Sequence, residues 1–183
     1  CLSLLRLYLK GIHVKKLLLY ALVTAFLFWP HLAVRAQDMT DSPGCDVKKT
    51  GLDAAKFFIY LTQDTPYTSW ELWPGMGRLR RGKEPHGAFL TTYVNPVAHR
   101  SITGKGGMAF GSLIVVENHG ADKKPADLTV LIKIKGYNPQ AGDWHWFKYA
   151  PDGKVLAAGR VDVCINCHGA KKDNEYIMTA PVK

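Results

Sequence analysis

Cysteine is scarce in this chain: four residues in 183, at Cys1, Cys45, Cys164 and Cys167. That is too few for a scaffold held together by disulfides. Acid is missing altogether from the first 36 residues, which carry Arg6, Lys10, Lys15, Lys16 and Arg35. The formal net charge of +9 therefore overstates the rest of the chain, where 19 basic and 15 acidic residues leave +4. That excess is small and evenly spread, which argues against nucleic acid as a partner. The apolar run Leu17 to Pro30 has 14 residues, short of the roughly 20 a spanning helix needs. No internal repeat and no Walker pattern is present, so Gly104, Gly106 and Gly107 read as a flexible connection rather than a phosphate loop. With 47% hydrophobic and 21% charged residues, the chain is not of disordered composition.

What is present begins with an export pattern. Lys10, Lys15 and Lys16 precede the 14-residue apolar run, and Val34-Arg35-Ala36 offers small residues where a signal peptidase reads. Residues 1–36 are expected to be a signal peptide, an uncleaved membrane anchor being the alternative. Residues 37–51 form a polar, turn-rich arm. Residues 52–183 form one domain, placed in the periplasm or another oxidising extracytoplasmic compartment of a bacterium.

Within that domain Leu52 to Gln63 reads as a helix, with Leu52, Ala55, Phe58 or Ile59, and Leu61 or Thr62 on one face. Strands are expected at Gly87–Asn95, Phe110–Asn118, Asp127–Gly136, Asp143–Ala150 and Lys154–Val161. Asn95-Pro96 reads as a turn. Along the fourth strand, alternation sets Trp144, Trp146 and Lys148 against His145, Phe147 and Tyr149. Asp162–Lys171 reads as a short helix. The fold class is α+β: an antiparallel sheet of about four to five strands with a few helices.

Cys164-Ile165-Asn166-Cys167-His168 is a C-x-x-C-H sequence, the c-type haem attachment pattern. Two thiols three residues apart sit one helical turn apart and can reach two vinyl groups on one porphyrin edge. The adjacent His168 then falls under the iron as proximal ligand. A zinc site would need two further well-spaced ligands. A redox dithiol would sit in a βαβ pattern, and none surrounds it. One motif implies one covalent haem c.

The other side of the iron decides function. The candidates beyond the motif are His86, His99, His119, His145, Met39, Met76, Met108, Met178 and Cys45. Cys45 is the thiol left over once Cys164 and Cys167 bind haem. It reads as an intermolecular disulfide partner, a free arm cysteine or a distal thiolate to the metal. Leu90, Phe110 and Val116 are candidates for an apolar wall against the haem, with Phe110, Ile114 and Val116 on one strand face. Such a wall supplies no group for acid–base chemistry. It favours nitric oxide or carbon monoxide over oxygen, which gains more from a hydrogen-bond donor. Arg78, Arg80, Arg81 and Lys83 form a basic run that reads as a solvated loop, a propionate clamp or a docking patch.

Together these features resemble the cytochrome P-460 and cytochrome c-prime-beta family over roughly Leu52 to Thr179. The resemblance is carried by Tyr67-Thr68-Ser69-Trp70, by Thr91 to Pro96, by Gly111 to Glu117, by Asp143 to Phe147, and by Cys164 to His168 with Asp173 to Thr179. It implies a mostly antiparallel fold, a homo- or heterodimer packed through its sheets, and His168 as proximal ligand. It also implies a second-strand lysine cross-linked to the porphyrin in true P-460 members, where this chain has Val116, and a first-strand arginine, where it has Leu90. No lysine lies between Met108 and Gly120. The c-prime-beta branch, with unmodified haem under an apolar cap, is the better match. The family's nitric-oxide-binding members with a cysteine distal ligand bear on Cys45. The function so implied is binding of nitric oxide or a related small nitrogen species, with a redox protein as a further partner. A hydroxylamine or nitric oxide oxidoreductase and a six-coordinate electron carrier are the alternatives.

Overall fold

The computed structural model describes residues 52–182. The export segment, the polar arm, Met39 and Cys45 lie outside the described residues.

The described residues open with helix α1 (Ala54–Ile59), capped by Asp53, whose carboxylate accepts from the Lys56 N–H at 3.0 Å. It runs into a single π-turn, Tyr60–Asp64, closed by the Thr65 N–H on the Tyr60 carbonyl at 2.8 Å. The wider turn resets the helical phase, and the buried side chains are Phe57 and Leu61. Of the expected inner face, Leu52, Phe58 and Leu61 pack against the sheet, whereas Ala55 and Ile59, the alternative to Phe58, are exposed.

Among the described residues seven strands form one antiparallel sheet, more than the four or five expected. The additions are two-residue edge strands, β1 (Glu71–Leu72) and β2 (Arg80–Arg81), both paired with β3 (Phe89–Val94). Then come β4 (Leu113–His119), β5 (Pro125–Lys133), β6 (Trp144–Tyr149) and β7 (Val155–Gly159), in the spatial order β1-β3-β4-β5-β6-β7. Simple neighbour-to-neighbour order follows from short connections.

Asn95-Pro96 is not a plain turn. It starts helix α2 (Pro96–Gly104): Asn95 accepts from the Ala98 N–H at 2.9 Å, and Pro96 stands at the first turn, where its missing N–H costs nothing. The same Asn95 oxygen accepts from the Leu113 N–H at 3.1 Å, tying the helix start to β4. Gly104, expected in a flexible connection, is therefore the last residue of this helix.

Alternation gives the sheet two covered faces. On one, α1 seals Tyr93, Leu113, Val115, Leu128, Val130, Phe147 and Tyr149. Phe57 packs on Phe147 with centroids 4.8 Å apart, and Phe58 on Tyr149 at 5.1 Å. On the other, Val94, Ile114, Leu131, Trp144 and Trp146 pack with Ala98 and Ile102 of α2 and with Ile177 and Val182 of the C-terminal segment. The predicted split of β6 into two opposed faces is observed. Helix α3 (Asp162–His168) and a 3-10 stretch, Gly169–Asn174, end the fold against this second face. Among the described residues no helix is long and apolar enough to cross a membrane.

Candidate haem site

Helix α3 carries Cys164, Cys167 and His168. Cys164 and Ile165 pack against the cluster that holds Ile114, Leu131 and Trp146. Both thiols are free, Cys164 half-buried and Cys167 exposed. Burial pushes the Cys164 thiol up, and the nearby Lys148 acts against that.

His168 is held from behind and from the side. Its Nδ1 lies 2.7 Å from the Tyr176 carbonyl oxygen, so in the neutral ring Nδ1–H donates and Nε2 keeps its lone pair. Trp146 meets the imidazole edge-on, with centroids 4.6 Å apart. Burial pushes the His168 imidazole below the usual range; the Tyr176 carbonyl acts the other way, and His86 adds to the lowering.

The sheet face near α3 is read from its register. One row is Val94, Ile114, Leu131 and Trp146. The next is Thr92, Val116, Thr129 and Lys148, and the third begins Leu90, Asn118 and Asp127. The face is thus apolar at one end and polar at the other. Arg80 reaches over it, its Nη2 donating to Thr92 Oγ1 at 3.4 Å. Asn118 donates to Thr129 Oγ1 at 2.8 Å and to the Asp127 carboxylate, which also pairs with Lys148 at 3.1 Å. His86, in the turn before β3, completes this corner. Burial and then Lys148 hold its imidazole below the usual range, while Asp127 and Asn118 act in the opposite direction. Its ring lies 6.1 Å from that of His168.

Of the predicted wall, Leu90 is buried and Val116 is partly buried against the motif-side cluster. Phe110 is not beside them. It is 48% exposed on a turn closed by the Ser112 N–H on the Ala109 carbonyl, because β4 begins only at Leu113. Thr92 and Thr129 flank Val116, so the wall is less apolar than expected.

The other candidate ligands divide cleanly. His99 lines a separate surface cavity of about 350 Å³ with Trp70, Glu71 and Arg100. The His119 ring contacts the Lys123 carbonyl at 3.2 Å. His145 is sandwiched between Tyr137 and Phe147. Met178 is exposed, and Met76 and Met108 pack in the motif-side cluster. The basic run is not simply solvated: Arg78 stacks on Tyr93 at 5.1 Å and Arg81 on Phe89 at 5.6 Å.

The residues present suit a haem. Among the described residues no group of three or more His, Cys, Asp or Glu is gathered, so the two thiols lack the company a zinc site requires. Arg80 Nε and Trp146 Nε1 are buried donors without a partner on the motif side, and a guanidinium with an open donor suits a carboxylate such as a haem propionate. His168 offers one imidazole nitrogen with the other already fixed.

Comparison with protein-family models matches residues 67–179 to Cytochrome P460. Fold and site together define a haem cytochrome built on an antiparallel sheet. The match spans more than half of the chain, and the chain belongs to the cytochrome P460 family. No curated relative matches the chain.

Proposed function

We propose that this protein is an exported monohaem c-type cytochrome that binds nitric oxide or a related small nitrogen species at the haem iron. Cys164 and Cys167 would hold the macrocycle through thioether bonds, and His168 would be the proximal ligand. Bound haem supplies an iron that can take a diatomic ligand. The chain's own residues set the terms: the Tyr176 carbonyl orients His168, and Leu90 and Val116 limit water beside the iron.

The observation that carries the reading is the state of the nearby carboxylate. Asp127 is occupied by Lys148 at 3.1 Å and by the Asn118 amide. A general base for turnover needs a free proton acceptor within reach of substrate, and Asp127 is not one. Val116 faces the motif-side cluster where a cross-linking lysine is expected in P-460 members. Lys148, in the same row, is held by Asp127. Both features favour ligand binding to an unmodified haem over oxidation of hydroxylamine.

The reading extends to export through residues 1–36, to an extracytoplasmic location, to a dimer and to a redox partner. Nitric oxide titration of the ferrous holoprotein, run beside a hydroxylamine oxidation assay, tests it. A stoichiometric adduct with no sustained turnover is expected. Sustained turnover, or no adduct, overturns it.

A further inference from the structure

We propose that His86 is the second axial ligand of the haem iron, standing opposite His168 until an incoming diatomic displaces it. The inference rests on the haem reading above and adds a residue that the motif does not contain.

The two imidazole centroids are 6.1 Å apart with ring planes crossed at 86°. First-row metals hold an imidazole nitrogen at about 2 Å, so two rings sharing one ion have centroids about 6 Å apart. His168 spends Nδ1 on Tyr176 and keeps Nε2 for the iron. Asn118 Oδ1 is buried without a hydrogen-bond partner and can accept from one nitrogen of the His86 ring while the other meets the metal.

The His86 position is built, not incidental. The His86 N–H closes a turn on the Lys83 carbonyl at 3.0 Å, and the Gly82 N–H meets the Ala88 carbonyl at 2.8 Å. Two glycines allow the packing. A Cβ on Gly82 would lie 2.3 Å from the Gly87 carbonyl oxygen. Gly87 has φ +92° and backs onto the His119 carbonyl, which a Cβ would meet at 2.8 Å. This brings the turn tight against the end of β4, where His86 overlooks the polar corner. A turn, unlike a strand, can release one side chain without unpairing the sheet.

The test uses the holoprotein and reads the iron without substrate. Ferric wild type should be six-coordinate and low-spin by absorption and electron paramagnetic resonance. His86→Ala should become five-coordinate and high-spin, and added imidazole should restore the low-spin spectrum. His86→Met should stay six-coordinate with a raised reduction potential, which keeps the test open if His86→Ala fails to accumulate. Nitric oxide should associate about tenfold or more faster with His86→Ala, since the open form is then fully populated. A five-coordinate wild type overturns the proposal, as does a His86→Ala spectrum that stays low-spin. Loss of the nitric oxide adduct with the expected spectral change in His86→Ala would instead overturn the gas-binding function and leave His86 as ligand.

Discussion

The Tyr176 carbonyl oxygen sits 2.7 Å from His168 Nδ1, and the backbone that delivers it is in the left-handed region at two successive residues, Glu175 (φ +56°) and Tyr176 (φ +63°). Neither is glycine, so the turn is held by its surroundings. Trp144 Nε1 donates to the Glu175 carbonyl at 2.8 Å, and the Tyr176 hydroxyl donates to the Gln140 carbonyl at 2.7 Å. The Glu175 carboxylate takes the Lys133 ammonium at 2.5 Å and the Met108 N–H at 3.1 Å. The sheet thereby fixes the orientation of the His168 imidazole.

Glu175→Gln should expose the dependence of this turn on charge. The Lys133 and Glu175 side chains are 10% and 15% exposed, and removing one member of a pair so placed costs about 3 kcal/mol. Urea unfolding of the holoprotein should show a lower midpoint. A Lys133→Met, Glu175→Gln double variant should recover part of the loss, since no uncompensated ammonium is left behind.

Stability should fall in mild acid because of His145. Its ring is 2% exposed between Tyr137 and Phe147, and burial pushes its pKa down to about 4. The unfolded chain binds a proton near the ordinary pH of about 6.5, whereas the folded chain resists until about 4. The unfolded state therefore carries more protons in that window, and stability drops as pH falls through it. The full effect is about 3 kcal/mol, absent above pH ~6.5 and constant below the folded value. Unfolding free energy of His145→Phe should be flatter across the same window.

The attachment chemistry predicts a graded loss. Either Cys164→Ser or Cys167→Ser should leave one thioether and a haem that stays with the chain on denaturation. The double variant should release haem into organic solvent, read by intact mass. Retention of covalent haem by the double variant would contradict attachment through these thiols.

Gly82→Ala tests the turn without touching His86. The added methyl meets backbone, the Gly87 carbonyl oxygen at 2.3 Å, so the turn itself must move. The variant should lose about 1–3 kcal/mol of stability, and its ferric spectrum should shift toward a five-coordinate iron.

The C-x-x-C-H sequence stands out because thioether attachment of a haem would demand two thiols and an imidazole at fixed spacing, which no packing requirement would produce. The β6 pattern was legible because alternation survives wherever both faces are covered. Other features were hidden for physical reasons. Asn95-Pro96 carries the same residues whether it turns the chain or caps a helix, and only the Ala98 N–H on Asn95 decides. Periodicity counted from Leu52 finds Leu52, Phe58 and Leu61 on the inner face of α1 but puts Ala55 there in place of Phe57, because a 3.6-residue period read over so short a helix fixes its face only to within a residue or two. Phe110 was placed on β4 by extrapolating alternation across Gly111, whose φ of +86° marks a turn. His86 stood among nine candidates with no local signal. It meets His168 only because the Lys83–His86 turn and the C-terminal helix converge over one sheet face.

The most direct test of the account is the absorption spectrum of the ferrous holoprotein before and after one equivalent of nitric oxide. The account predicts an ordinary haem c spectrum that converts fully to a nitrosyl form. A ferrous band displaced far to the red, or a spectrum that nitric oxide leaves unchanged, would contradict it.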